Sequence, residues 1–509
     1  MSEQHVEARA GTYADSVTLM QVSARAQAVP GVRAALVAMA TELNLGLLPG
    51  LGLSPPAGTD HNDLLVAIRA DDGESLAAAL TVVDSALSAR PAWPADSPAD
   101  QPPRTTLSAV RQSGPGLALI SVPGQHAFAE AIDALGSGCD VMIFSDNVAV
   151  EQEITLKDFA AERGLLVMGP DCGTAIVAGV GLGFSHSVPP GPIGIVAASG
   201  TGAQQVTCLL DAAGTGVSAV LGVGGRDLSA AVGGRSARAA LAALDADLAT
   251  ELIILLSKPP AAEVAASLRG YADTLTTPVQ FALIGPGQPD LTAAAETALR
   301  AIGCAVPAWP RWAEPGVPRA GTGALRGLFA GGTLCDEAMV IAARRLGPVY
   351  SNVPLRPQWR ADPDARGARH IMIDFGDDEL TAGRPHPMID QRLRLDRLAA
   401  EAADPATAVI MLDVVLGHGA HPDPAAELAP AIAAARAARS AGSGATLPVV
   451  VSLIGAGSDP QGLGGQARAL AEAGAHVFAS NAEAAGFACD LIDAAHAAAG
   501  SASDSGSES

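Results

Sequence analysis

Two short turns carry residue types suited to holding an anion. Ser199-Gly200-Thr201-Gly202 and Gly331-Gly332-Thr333 each set glycines and a hydroxyl where an apolar, strand-like run gives way to a helical one. At such a junction, free backbone N–H groups and the positive end of the helix dipole attract negative charge. Glycine lets a phosphate approach the main chain, and Ser or Thr adds a hydroxyl donor. A single turn of this kind also arises wherever the chain must bend tightly. Two, in matching positions of a repeat, point to paired helix ends around one phosphate.

Lysine is the second signal. The chain has 31 Lys and Arg residues, and Lys157 and Lys258 are the only lysines among them. A lysine that survives such a preference for arginine does what a guanidinium cannot. Lys258 closes a strand-like run at Leu256-Ser257-Lys258-Pro259-Pro260, where α/β sheets present ligand-binding residues. Its expected role is a cation against phosphate or carboxylate; the plain alternative is an exposed lysine. Arg226 follows Gly224-Gly225 and can grip a carboxylate bidentately; a loop-fixing salt bridge is the alternative. His386 lies in Gly383–Asp390 beside Arg384 and can act as a general acid or base near neutral pH; a surface histidine is the alternative. Asp413, His418 and His421 surround a Gly/Pro-rich turn that reads as structural rather than as a metal site. The cysteines, at 139, 172, 208, 304, 335 and 489, show no C-x-x-C pair. Neither a zinc site nor a disulfide framework is expected.

The elements that must position these residues follow from periodicity. Residues 1–89 read as a small ferredoxin- or ACT-like α/β module, with strands at Ser16–Val22, Val32–Ala40 and Leu64–Ile68 and a helix over 74–87. A proline-rich linker follows at 90–106. From 107 onward, continuous apolar runs alternate with helical stretches. Strands are expected at Leu117–Val122, Val141–Ser145, Leu165–Met168, Ile193–Ala197, Val217–Val223, Leu252–Leu256 and Val279–Ile284, with helices such as His126–Leu135 and Glu151–Arg163. Runs of this kind belong to doubly wound parallel sheets covered on both faces. The alternation resumes at Arg326–Phe329, His370–Phe375, Ala408–Asp413, Val449–Leu453 and His476–Ala479. Residues 222–258 and 375–412 repeat one unit, as do Ile195–Gln204 and Leu328–Asp336. The expected domains are 107–190, truncated and Rossmann-like of the CoA-binding type; 191–310 and 320–498, both flavodoxin-like; and a disordered tail, 499–509.

Composition narrows the function. A chain of 509 residues predicts three or four domains. Acids exceed bases 53 to 31, for a net charge of −22, which disfavours nucleic acid as a partner. No apolar run reaches the length of a membrane span, and no basic-then-apolar leader opens the sequence, so a cytoplasmic protein without membrane contact is expected.

Several segments carry a family resemblance. Met168-Gly169-Pro170-Asp171-Cys172, Gly194-Ile195-Val196 with Ser199-Gly200-Thr201, and Gly222-Val223-Gly224-Gly225-Arg226-Asp227 resemble the α subunit of succinyl-CoA synthetase. Residues 326–490 resemble the carboxy-terminal domain of its β subunit. The fused arrangement, with the Lys258 and His386 segments, is similar to the FdrA family. The resemblance implies that the two helix starts hold a phosphate. It also implies partner subunits and an oxamate carbamoyltransferase activity, with carbamoyl or acyl phosphate as substrate and coenzyme A as a further candidate ligand. The synthetases carry a phosphorylated histidine after the strand matching Val279–Ile284; here Gly285-Pro286-Gly287-Gln288-Pro289-Asp290 contains none. Nor does the sequence contain an ATP-grasp motif or the early glycine-rich loop that grips coenzyme A. Two alternatives stand beside the transferase: an acyl-CoA synthetase subunit whose nucleotide binds elsewhere, and a non-catalytic scaffold or sensor.

Overall fold

The computed structural model describes residues 3–88, 103, 105–313, 318–381, 384–443 and 446–505. These form two compact units: residues 1–171 with 378–390, and residues 172–377 with 391–509.

The first unit holds two small sheets. In the amino-terminal module, β1 (Glu3–Arg9), β2 (Val32–Met39) and β3 (Leu64–Ala70) pair antiparallel in the order β1-β3-β2. Ser16–Val22, expected as a strand, lies instead in the helix Ser16–Gln27. Asp15 caps that helix by accepting from the Thr18 N–H, and Leu19, Val22, Ser23 and Ala26 form its buried stripe, a helical rather than an alternating period. The strand missed in the sequence, β1, is largely polar and lies at the sheet edge, so no apolar signal marks it. Most of the proline-rich segment lies outside the described residues; Thr105, at its end, already caps the helix Thr106–Ser113. Then β4 (Leu117–Ile120), β5 (Asp140–Ile143) and β6 (Val167–Met168) form a parallel sheet. Its helix Val150–Ala161 carries Lys157, whose ammonium is buried 2.7 Å from the Glu153 carboxylate one turn earlier. One of the two lysines is thus structural.

The second unit contains two sheets of the doubly wound type. The first has the order β12-β11-β9-β10-β7-β8, from β7 (Thr174–Val177), β8 (Val180–Gly183), β9 (Pro190–Ala198), β10 (Val217–Gly222), β11 (Leu252–Ser257) and β12 (Val279–Leu283). Four strands run parallel, and the β7–β8 hairpin joins antiparallel through Val220 and Ile176. That pairing ties residues from 172 onward to this sheet, so the units divide at Asp171 and not at the expected 190.

The second sheet has the order β13-β19-β18-β17-β14-β16-β15, from β13 (Arg311–Trp312), β14 (Ala324–Phe329), β15 (Val349–Tyr350), β16 (His370–Asp374), β17 (Thr407–Val415), β18 (Val449–Ile454) and β19 (Ala475–Phe478). Only the edge strand β13 is antiparallel. The central strands β17 and β18 are buried along their whole length, which is why they read as unbroken apolar runs. The carboxy-terminal helix extends from Asn481 to Ser505. It therefore includes the first residues of the expected disordered tail; 506–509 lie outside the described residues.

Candidate anion-binding site

The site lies wholly within the second unit, at the carboxyl ends of β9, β11, β14 and β16. The chain leaves β9 at Ser199, whose extended backbone and hydroxyl cap the helix Gly200–Ala212 by accepting from the Gly202 N–H. It leaves β14 at Gly331, which opens the helix Gly332–Leu346 without a side-chain cap. The two helix ends meet. Ser199 Oγ and Thr333 Oγ1 are 2.6 Å apart, and either hydroxyl can donate.

Glycine makes this approach possible. A Cβ on Gly202 would lie 2.5 Å from Ser199 Oγ and 3.2 Å from Thr333 Cγ2, and one on Gly331 would lie 2.9 Å from Thr201 Cγ2. Gly202 and Gly331 therefore serve the contact between the helices. Gly200 and Gly332 keep solvent access, whereas Ser199, Thr201 and Thr333 are buried. The first N–H groups of a helix have no partner inside it. Those of Gly200 and Thr201 on one helix, and of Gly332, Thr333 and Leu334 on the other, meet no acceptor among the described residues. The Ala330 and Gly331 N–H groups are already engaged, each donating at 2.7 Å to the buried Asp413 carboxylate. Arg394 Nη1 lies 3.3 Å from that carboxylate. Asp413 thus fixes the second turn.

Lys258 reaches this site from the end of β11. Its Nζ is 2.9 Å from Asp336 Oδ2 and 3.3 Å from where a Gly332 Cβ would stand, and 44 % of its side-chain surface remains accessible. Burial works against the ammonium, but the charges of Asp336 and Asp374 and the Asp336 hydrogen bond outweigh it and hold its pKa above the ordinary lysine value.

A second carboxyl group, Asp374, ends β16. Its main chain is clasped by Asn352, which accepts from the Asp374 N–H and donates to its carbonyl. Oδ1 accepts from the Gly376 N–H at 2.9 Å, and Oδ2 lies 2.5 Å from the Cβ position of Gly332. Burial raises this group to about 7 despite the nearby ammonium. Asp336 is also raised by burial, opposed by Lys258.

Gln204 adds a further polar group. It is 1 % exposed, and neither amide atom has a partner. It stands one turn after Gly200 on the same helix face, and helical side chains lean back toward the amino terminus.

Sequence reasoning identified both turns and Lys258. It missed Asp374, Asp336 and Gln204. A carboxylate ending a strand inside a repeated unit is the one signal that marks Asp374. Of the other candidates, Arg226 is exposed in the loop after β10. The neighbouring Asp227 is buried and accepts from the Ser236 and Ala237 N–H groups at the next helix start. His386 belongs to the first unit, where its Nδ1 accepts from the Met388 N–H.

Residues 328–490 match the CoA-ligase family model, and residues 1–102 match the model described as AllF, heavy metal-associated domain. The uncharacterized protein YahF of Escherichia coli is 39 % identical over 92 % of this chain and 95 % of its own length. The α subunit of the ADP-forming succinate–CoA ligase of Aquifex aeolicus is 28 % identical over 30 % of this chain and 51 % of its own length. The chain thus spans about half of that ligase subunit. A dinucleotide-forming acetyl-coenzyme A synthetase from Candidatus Korarchaeum cryptofilum shares 16 % identity and covers 75 % of this chain and 83 % of its own, at a TM-score of 0.29 that carries no argument.

The heavy-metal description does not fit the residues present. Soft metals select thiolate ligands, and residues 1–102 contain no cysteine. Among the described residues no cluster of three or more His, Cys, Asp or Glu can hold a metal ion. Nor is any described helix long and apolar enough to cross a membrane. Identity to YahF along nearly the whole length, an amino-terminal module of the AllF kind and a CoA-ligase domain at the other end place this chain in the FdrA/AllF-like family.

Proposed function

We propose that the chain is the phosphate-handling subunit of an acyl-transferring enzyme, in which phosphate and an acyl or carbamoyl group are exchanged at the paired helix ends. The observation that carries this reading is the 2.6 Å contact between Ser199 and Thr333. It brings two sets of unengaged N–H donors to one place, with the Lys258 ammonium beside them. A single exposed helix end stabilises an anion by about 0.3–1 kcal/mol. Two ends with a lysine, partly enclosed, form a preorganised site for the charge that develops on phosphate.

The finer reading is oxamate carbamoyltransfer: phosphate attacks the carbamoyl carbon of oxalurate, giving carbamoyl phosphate and oxamate, together with partner subunits. No phosphohistidine is needed for such a direct exchange, in keeping with the histidine-free loop Gly285–Asp290. In this reading Lys258 supports the phosphate or the substrate carboxylate. Arg226 and His386 are candidates to orient a carboxylate and to move a proton. A second reading, acid–CoA ligation with nucleotide bound by another chain, is favoured by the CoA-ligase match over residues 328–490.

The test is purification of the chain with its native partners, followed by two assays on the complex. Carbamoyl phosphate formed from oxalurate only when phosphate is present supports the transferase. Acyl-CoA formed from acid, coenzyme A and nucleotide supports the ligase. A complex active in neither assay overturns both readings.

A further inference from the structure

The site contains more negative charge than an anion cradle should tolerate. Lys258 is paired with Asp336 at 2.9 Å, and Asp374 Oδ2 and the Lys258 ammonium both border the Cβ position of Gly332, at 2.5 and 3.3 Å. With both carboxylates ionised, the cluster bears a net negative charge at the place an anion is to enter. The charge of Asp336 adds to the burial that opposes ionisation of Asp374, as like charges do where water is excluded. The two carboxyl groups are not equivalent. Asp336 is held directly by the ammonium. Asp374 is 6 % exposed, is anchored through Oδ1 by the Gly376 N–H, and presents Oδ2 at the first turn of the helix Gly332–Leu346.

The geometry points to Asp374 as the proton-carrying catalytic residue of this site: it binds a proton when an anion occupies the paired helix ends, and passes that proton to the leaving group during transfer. The inference rests on the phosphate-handling reading above. In the carbamoyl case the balance closes. An oxygen of hydrogen phosphate attacks the carbamoyl carbon, and the bond from that carbon to the oxamate nitrogen breaks with its electron pair going to nitrogen. The Asp374 O–H supplies the proton that nitrogen needs. The proton released by hydrogen phosphate returns to the Asp374 carboxylate, so the residue ends as it began. A carboxyl group raised to about 7 by burial is suited to give and take a proton near neutral pH.

Other charged groups face this carboxyl. From β11 comes Lys258; from the helix Gly332–Leu346 come Asp336 and the buried Cys335; from its own loop comes Asp377. Gln204, one turn after Gly200 on the same helix, is buried with both amide atoms unpartnered.

Inorganic sulfate is the probe, because it remains a dianion throughout the neutral range and leaves the protein as the titrating partner. Its affinity for the full-length chain is measured by calorimetry between pH 5.5 and 8.5 (values chosen to bracket an acid titrating near neutrality), with phosphate as competitor. The expected result for the wild-type chain is affinity that falls up to about tenfold per pH unit above 7, the slope of a single proton. Asp374→Asn should bind with little pH dependence and exceed the wild type at high pH, while turnover in the reconstituted complex drops about 100-fold, the lower range for loss of a positioned acid–base group. Asp336→Asn should keep the wild-type slope. Absence of sulfate binding at any pH overturns the cradle itself. Binding with a flat wild-type profile, an unchanged slope in Asp374→Asn, or wild-type turnover in that variant overturns the role of Asp374 and leaves the cradle standing. Should Asp374→Asn fail to fold, the wild-type slope and the Asp336→Asn control still decide.

Discussion

Replacing Gly202 by alanine adds a single methyl group where the two helix ends meet. Inside a helix the exchange by itself gains about 0.8–1 kcal/mol. Here the new Cβ would stand 2.5 Å from Ser199 Oγ, 2.8 Å from Leu256 Cδ2 and 3.2 Å from Thr333 Cγ2. The hydroxyl can rotate away, but it then gives up the cap to the Gly202 N–H and the bond to Thr333, and loss of a cap costs about 1 kcal/mol. The Leu256 methyl cannot rotate away so cheaply, and overpacking costs about 1–3 kcal/mol. The balance is a net loss of about 1–3 kcal/mol, opposite in sign to the intrinsic preference. Gly270 supplies the control. It lies exposed in the helix Ala262–Ala272, and a Cβ there meets nothing within 4 Å, so Gly270→Ala should gain up to about 1 kcal/mol. Urea denaturation of both variants against the wild type reads the two signs. If Gly202→Ala is stabilised as much as Gly270→Ala, the helix ends do not meet as described.

Further outcomes follow from the same geometry. Lys258→Met should lower turnover of the complex about 10²–10³-fold, the effect of losing one preorganised donor; Lys258→Arg should restore it only in part, since a planar fork replaces a compact charge poorly. Wild-type rates in Lys258→Met would remove the residue from the mechanism. Asp413→Asn should destabilise the second unit by about 3–5 kcal/mol in chemical denaturation, because it leaves Arg394 buried and sets an amide against one of the two N–H donors. Stability should also fall as pH rises from about 4 to 7. Asp374 and Glu337 each hold a proton in the native state up to about 7, whereas in the unfolded chain they release it near their ordinary values, so the native state binds more protons across that window. Denaturation midpoints that rise between pH 5 and 7 in the wild type, with no difference in Asp374→Asn, would contradict this.

Most of the parallel-sheet architecture was legible in the sequence because strands such as β11, β17 and β18 are buried on both faces and leave continuous apolar runs. The amino-terminal module was read less well. The short apolar stripe of the helix Ser16–Gln27 resembles a strand's apolar run, and polar β1 carries no apolar signal. Both turns of the site were visible because glycine and hydroxyl residues at strand ends are a local pattern. Their meeting was only inferred from the repeat, since the Ser199–Thr333 contact joins residues 134 apart in sequence. Asp374 could not be ranked, because its character comes from burial against Gly332 and from Lys258, neither of which is near it in the chain. His386 and Arg226 were legible by their chemistry alone: the structure assigns the first to the other unit and sets the second, exposed, in a loop whose neighbouring acid caps a helix.

Equilibrium dialysis of the full-length chain with labelled inorganic phosphate tests the central claim most directly. The account predicts a saturable site that competes with sulfate, is weakened by Lys258→Met, and is lost in the Ser199→Ala, Thr333→Val pair. Phosphate that does not bind, or that binds equally well to all three proteins, would contradict it.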